Sequence, residues 1–93
     1  MIKSFRDKEA EKLFHREASR KLPPSLHHVA LRKLWMIDAS VDLADLRVPP
    51  GNHLEALSGK WNGRYSIRVN KKWRICFVWH RNDAYDVEII DYH

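Results

Sequence analysis

At 93 residues and 11.1 kDa the chain has material for one small hydrophobic core of two layers and not for two. A hydrophobic content of 44% excludes wholesale disorder, a single cysteine excludes an intrachain disulfide, and no apolar run approaches the roughly 18 residues of a membrane span. The formal net charge of +5 is unevenly placed: Lys60, Arg64, Arg68, Lys71, Lys72, Arg74 and Arg81 occupy the stretch from Ser58 to Arg81 with no Asp or Glu among them, which suits a polyanion or an acidic protein partner.

Ile2 and Phe5 flank a short edge strand. Asp7 then caps a helix expected to run to about Ser19, with Ala10, Leu13, Phe14 and Ala18 as its apolar stripe. Lys21-Leu22-Pro23-Pro24 ends it, because proline and the residue before it resist continuing a helix. Ser25 is the expected cap of a second helix to about Ala39, on which Leu26, Val29, Ala30, Leu34 and Ile37 recur at helical spacing. Two amphipathic helices joined by a short turn make an αα-hairpin. Ser40 caps a further turn holding Leu43 and Leu46, and Arg47-Val48-Pro49-Pro50-Gly51-Asn52 is expected to break all regular structure. Leu54, Ala56 and Leu57 form a brief strand. Ser58-Gly59-Lys60-Trp61-Asn62-Gly63 is a loop bounded by glycines, which holds Lys60 and Trp61 out from the body.

Alternation is clear from there on. Tyr65, Ile67 and Val69 alternate with Ser66 and Arg68, then Trp73, Ile75, Phe77 and Trp79 with Arg74, Cys76 and Val78. A three-residue loop, Asn70 to Lys72, sets Val69 opposite Trp73 and Ile67 opposite Ile75 and keeps both apolar rows on one face, whereas a two-residue loop mixes the faces. In the three-residue register Arg64, Arg68 and Arg74 share the opposite face. Arg81-Asn82-Asp83 is the next turn, and Tyr85, Val87 and Ile89 lead the last strand; Ile89-Ile90 breaks the alternation, so Tyr92 and His93 receive no face. The expected architecture is α+β: a helical hairpin packed on one face of a small twisted antiparallel sheet, with the other face open to bind. Residues 1–93 are expected to form one domain.

An imidazole that titrates near neutrality passes protons to or from a reacting oxygen, while arginines neutralise a phosphate as it takes up charge. RNA brings its own nucleophile, the ribose 2′-hydroxyl. His93 beside a cationic sheet therefore fits RNA cleavage without a metal; the plainer reading is a solvated terminus. Tyr92 stacks on a base or donates a proton, or else covers the sheet edge. Asp91 orients His93 or an arginine, or simply ends the strand. Arg64, Arg68 and Arg74 match phosphate geometry, against the plainer reading of a solvated sheet face. Lys71 and Lys72 sit at a hairpin tip, where charge is common. His27-His28 are adjacent and do not face each other, and no spacing completes a metal site. Cys76 reads as a small sheet residue, Trp35, Trp73 and Trp79 as core, and Trp61 as the one tryptophan placed for exposed stacking.

These segments also resemble a known family. Ser4-Phe5, Pro49-Pro50-Gly51-Asn52-His53-Leu54-Glu55-Ala56-Leu57-Ser58-Gly59, Tyr65-Ser66-Ile67-Arg68-Val69-Asn70, Trp73-Arg74-Ile75-Cys76-Phe77 and Val87-Glu88-Ile89-Ile90-Asp91-Tyr92-His93 together look like the HigB branch of the RelE toxin superfamily. The resemblance implies a RelE-like fold of the microbial-ribonuclease type and a type II toxin that cuts mRNA in the ribosomal A site. It implies a HigA-type helix-turn-helix antitoxin, contact with operator DNA only through that antitoxin, and no cofactor. Arg74 would be the phosphate-binding arginine, and Asp91, Tyr92 and His93 the terminal catalytic group. Ser58 and Asn70 stand where characterised ribonuclease members carry basic residues, with Lys60, Arg68 or Lys71 able to compensate.

The sequence thus predicts a ribosome-dependent endoribonuclease. Its catalytic residues are His93, Tyr92, Asp91 and Arg74, its RNA-binding residues Lys60, Arg64, Arg68, Lys71 and Lys72, and its setting the cytoplasm, given one cysteine and a charged start without a signal-peptide apolar region. The alternative is a toxin that blocks the ribosome or another target without cutting RNA. A basic nucleic-acid-binding module without toxicity is the plainest remaining option.

Overall fold

The computed structural model describes residues 1–58 and 63–91. Lys60, Trp61, Tyr92 and His93 lie outside the described residues. Four antiparallel strands in chain order make the sheet: β1 (Glu55–Ala56), β2 (Arg64–Arg68), β3 (Trp73–His80) and β4 (Asp83–Asp91). Helices α1 (Lys8–Phe14) and α2 (Pro24–Ala39) pack against each other and against β4.

The register between β2 and β3 is the one expected from the three-residue loop, with Ile67 opposite Ile75, and Val69 N–H donating to the Trp73 carbonyl at 2.9 Å. It puts Ile67, Ile75 and Phe77 in one apolar row that closes with Ala84, Val87 and Ile89 on Leu13, Leu26, Ala30, Leu34 and Ile37 of the helices. The turn between β3 and β4 is tighter than its three-residue span suggested: Arg81 and Asn82 alone connect His80 to Asp83, both at positive φ (48° and 66°) as a two-residue hairpin requires.

β4 departs from simple alternation. Asp86, at φ 52°, is an extra residue between the Cys76–Glu88 and Val78–Tyr85 pairs, which makes a β-bulge. Ala84, Val87 and Ile89 therefore face the core and Tyr85 does not, lying opposite Val78 with its ring 6.4 Å from that of His80. The N-terminal segment does not form a regular edge strand. It bridges β4 in parallel at two points only, Ile2 with Ala84 and Phe5 with Val87.

Helix ends fall where local hydrogen bonds place them. Asp7 caps α1, accepting from Glu9 N–H at 2.9 Å, but the helix stops at Phe14 and not near Ser19. Arg16 adopts φ 63°, and the Arg16 and Glu17 amides turn back to the Leu13 and Lys12 carbonyls, a Schellman closure made without glycine; Ala18 is exposed. α2 starts at Pro24 in the N1 position, whose missing N–H costs nothing there, so Ser25 lies inside the first turn and is not the cap. Ser40 closes α2, its hydroxyl donating to the Met36 carbonyl, and the following 3-10 turn (Leu43–Arg47) is capped by Asp42 with Asp45 in a reciprocal box. A second 3-10 turn, Pro50–Asn52, gives local order to the stretch expected to be irregular. Trp35 is 41% exposed, outside the core, with the Arg16 guanidinium 5.0 Å from its ring.

Candidate functional site

The face of the sheet turned away from the helices carries the residues that alternate with the core. The register sets Arg64, Ser66 and Arg68 of β2 beside Val78, Cys76 and Arg74 of β3, and those in turn beside Glu88 and Ile90 of β4. The three arginines do share this face. Only Arg68 is more than marginally exposed, however; Arg64 and Arg74 are buried, and flanking strands bring carboxylates towards both.

Arg64 is buried and donates from Nη2 to Glu88 Oε2 at 2.6 Å; Arg6 reaches the same oxygen at 3.7 Å from the N-terminal segment. A charge that leaves water needs such a partner, so Arg64 is committed to an ion pair within the sheet. Arg74 is equally buried. Its Nε donates to Ser66 Oγ at 2.8 Å, its Nη2 to the His53 carbonyl at 2.6 Å and, more weakly, to the Ser66 carbonyl at 3.4 Å, while the Glu55 carboxylate stands 3.9 Å away. These contacts fix the plane of the guanidinium. Arg68 donates from Nε to the Asn70 carbonyl at 3.2 Å and is half-exposed.

Two adjoining concavities open on this face. One, of about 330 Å³, is lined by His53, Glu55, Arg68, Asn70, Lys71 and Arg74. The other, of about 380 Å³, is lined by Glu55, Ala56, Leu57, Ser58, Cys76, Glu88 and Ile90. Glu55 is common to both, so the first is a cationic recess with one carboxylate at its border and the second is more apolar, with two carboxylates. Lys72 is exposed in the hairpin turn and lines neither.

Asp91 pairs with Trp73, in the row of Ile75 and Ile89, so its side chain leaves the sheet on the side opposite to Arg74. Asn70 organises the turn: its Oδ1 accepts from the Lys72 and Trp73 amides at 2.8 and 2.9 Å, a task a lysine or arginine there has no acceptor for. Cys76 is buried beside Glu88. Burial first, and then that carboxylate, push its thiol up to about 11 against the opposing pull of Arg64 and Arg74, so it stays neutral and is no nucleophile. Among the described residues no three His, Cys, Asp or Glu side chains cluster as metal ligands do.

His53, Glu55, Ser66, Glu88 and Arg6 were not singled out by sequence reasoning. His53 is 21 residues from Arg74 and Arg64 is 24 from Glu88, and no periodicity links such positions. The segments that carry the family resemblance held His53, Glu55, Ser66 and Glu88 and so marked their neighbourhoods, without giving any of them a job.

This arrangement, two helices over a four-stranded antiparallel meander, is the RelE-like toxin fold. Crystal structures of E. coli YafQ align over 98% of this chain and 93% of theirs: a variant form with a TM-score of 0.64 at 11% identity and the protein from strain BL21(DE3) with 0.57 at 13%. The HigB-like toxin family, RelE-like toxins of the type II toxin-antitoxin system HigB, matches residues 3–93, and the chain belongs to that family. Toxin HigB-1 of Vibrio cholerae is 41% identical over 80 residues, 85% of this chain and 84% of that protein. Endoribonuclease HigB of Proteus vulgaris is 32% identical over 93 residues, the full length of both. Membership of a type II system implies an antitoxin partner.

Proposed function

We propose that the chain is an endoribonuclease toxin that cuts mRNA in the ribosomal A site, is held inactive by a HigA-type helix-turn-helix antitoxin, and works in the cytoplasm as a single domain. The observation that carries this reading is the Arg74 guanidinium, locked by Ser66 and the His53 carbonyl at the wall of a recess shared with Arg68 and Lys71. A planar fork with its orientation already set loses little entropy on meeting a phosphate and favours the charge that builds in the transition state. The 2′-hydroxyl attacks the adjacent phosphorus, the 5′-oxygen leaves with a proton, and a cyclic phosphate remains. His93 is assigned as general acid or base, Tyr92 as stacking or proton-donating partner, and Lys60, Arg68 and Lys71 as backbone contacts; Asp91, which leaves the sheet on the side opposite to Arg74, is assigned as orienter of His93 and not of that arginine. Arg64 and Lys72 take supporting places, the first inside the sheet and the second at the tip of the β2–β3 hairpin. His53, whose carbonyl holds Arg74, lines the same recess. The endoribonuclease name of the Proteus vulgaris relative supports the chemistry.

A second reading, a toxin that occupies the ribosome or another target without cutting, draws on the carboxylates of Glu55 and Glu88, which stand among the cations of this face. Mapping mRNA 5′ ends after incubation with purified ribosomes separates the two. New ends that vanish in His93→Ala and Arg74→Lys support cleavage; translation arrest without new ends supports the blocker, and cleavage unaffected by both substitutions removes these assignments.

A further inference from the structure

We propose that Asn52, anchored by Lys33 of α2, is a positioning residue that sets the His53 carbonyl and, through it, the Arg74 guanidinium in the recess. Its effect on cleavage rests on the ribonuclease reading. Residues 47–51 and 53 are all exposed, yet Asn52 between them is 0% exposed. Its side-chain amide donates to the Leu46 and Val48 carbonyls at 3.1 and 3.4 Å, and its Oδ1 accepts from Lys33 Nζ. Asn52 thus cross-links the turn to itself and to a helix on the far side of the core.

Lys33 is the unexpected member of the pair. It is 7% exposed, next to Leu34 on α2, where an apolar side chain would complete the stripe. Desolvation by burial, helped by the Arg32 charge, lowers its pKa below the ordinary lysine value. Burying an ammonium for a single amide contact is a costly way to stabilise a helix, and the structure it secures lies in the loop. The turn is closed by Asn52 N–H to the Pro49 carbonyl at 2.9 Å and His53 N–H to the Pro50 carbonyl at 3.1 Å. His53 then adopts φ 44°, ψ 58°, a left-handed conformation uncommon for a residue with a side chain, and its carbonyl meets Arg74 Nη2. One peptide unit separates the anchored Asn52 from the atom that orients the guanidinium.

The plain competing role for Asn52 is stability alone. Full-length protein labelled with ¹⁵N on arginine distinguishes the two, because the Arg74 Nε–H resonance reports the guanidinium directly. Asn52→Asp keeps a partner for Lys33 and loses both amide donors. The expected result is a folded protein in which that resonance shifts and exchanges faster with water, with kcat on ribosome-bound mRNA falling roughly 10- to 100-fold and KM changing less. In an Arg74→Lys background the same substitution is expected to add little, since it acts through Arg74. An unshifted Arg74 resonance in folded Asn52→Asp, or losses that multiply with those of Arg74→Lys, overturns the proposal. Should Asn52→Asp fail to fold, Lys33→Met, which keeps the packed stem and both amide donors, is read by the same resonance, and no shift there overturns it equally. If the wild type makes no cuts while the resonance still shifts, the ribonuclease reading fails and the positioning role stands.

Discussion

The two faces of the sheet are buried to a similar depth by different means. On the helix side Ile67, Ile75, Phe77, Val87 and Ile89 are at most 5% exposed. On the other side Arg64, Ser66, Arg74 and Cys76 are at most 7% exposed, although no helix among the described residues covers them. Apolar burial is non-directional and needs only fitting volumes, whereas each polar atom on the second face needs a partner with the right geometry. The first face is therefore tolerant of chemistry within limits of size. The second is specified bond by bond, which is the state a preorganised site needs.

The largest effect expected from this contrast is on the covered face. Phe77→Ala removes a fully buried ring from the centre of the core and should cost about 3–5 kcal/mol, close to the whole stability of a small domain. Urea denaturation followed by circular dichroism measures it, and a loss under 1 kcal/mol would mean that the core is not where the alternation puts it. On the open face the cost depends on which partner is orphaned. Arg64→Ala leaves Glu88, itself 18% exposed, with only the 3.7 Å contact to Arg6, and should cost about 1–3 kcal/mol, less than a fully buried pair because water reaches the carboxylate. Arg64→Met combined with Glu88→Leu removes both charges and should recover most of that loss. If the double variant is as unstable as the single, Arg64 matters by its packing and not by its charge.

Cys76, small and in the middle of the polar face, gives a measurement that does not perturb the fold. Its thiol lies near pH 11 against an ordinary 9.0, so the folded state holds the proton more tightly between those values. The thiol's contribution to stability is full below about pH 9 and is lost as pH rises towards 11. Iodoacetamide at pH 8 should leave native protein unmodified and label urea-unfolded protein. Rapid native labelling at pH 8 would place the thiol outside the sheet.

The apolar face was legible in the sequence because a period of two survives without any knowledge of partners. The register across Asn70–Lys72 and the stripe of Leu26, Ala30, Leu34 and Ile37 followed directly. Asp86 was not legible: a single inserted residue leaves composition unchanged while moving Tyr85 off the core side. The same holds for Arg16, which ends α1 in a conformation usually given to glycine. The charge segment from Ser58 to Arg81 was correctly seen as rich in cations, but Glu55 and Glu88 come from strands outside it, and pairing across a sheet is a property of topology. His53 and Asn52 lay in plain view inside a Pro-rich turn whose contacts are long-range. No helix among the described residues is long and apolar enough to cross a bilayer.

The smallest expected effects test whether the open face discriminates between neighbouring cations. Arg68 lines the recess beside Arg74, and Lys72 sits four residues on at the hairpin tip, outside both concavities. Neither is deeply buried, so replacing either by alanine should move stability by less than about 0.5 kcal/mol. Binding to single-stranded RNA should separate them. Each phosphate contact to a single strand contributes about 0.7 to the slope of log K against log salt, so Arg68→Ala should flatten that slope by about this amount and Lys72→Ala should leave it nearly unchanged. Equal flattening by the two would mean that RNA reads the summed charge of the segment, as the bare sequence suggests. An effect confined to Arg68 would mean that it reads the recess that Ser66, His53 and Arg74 hold open.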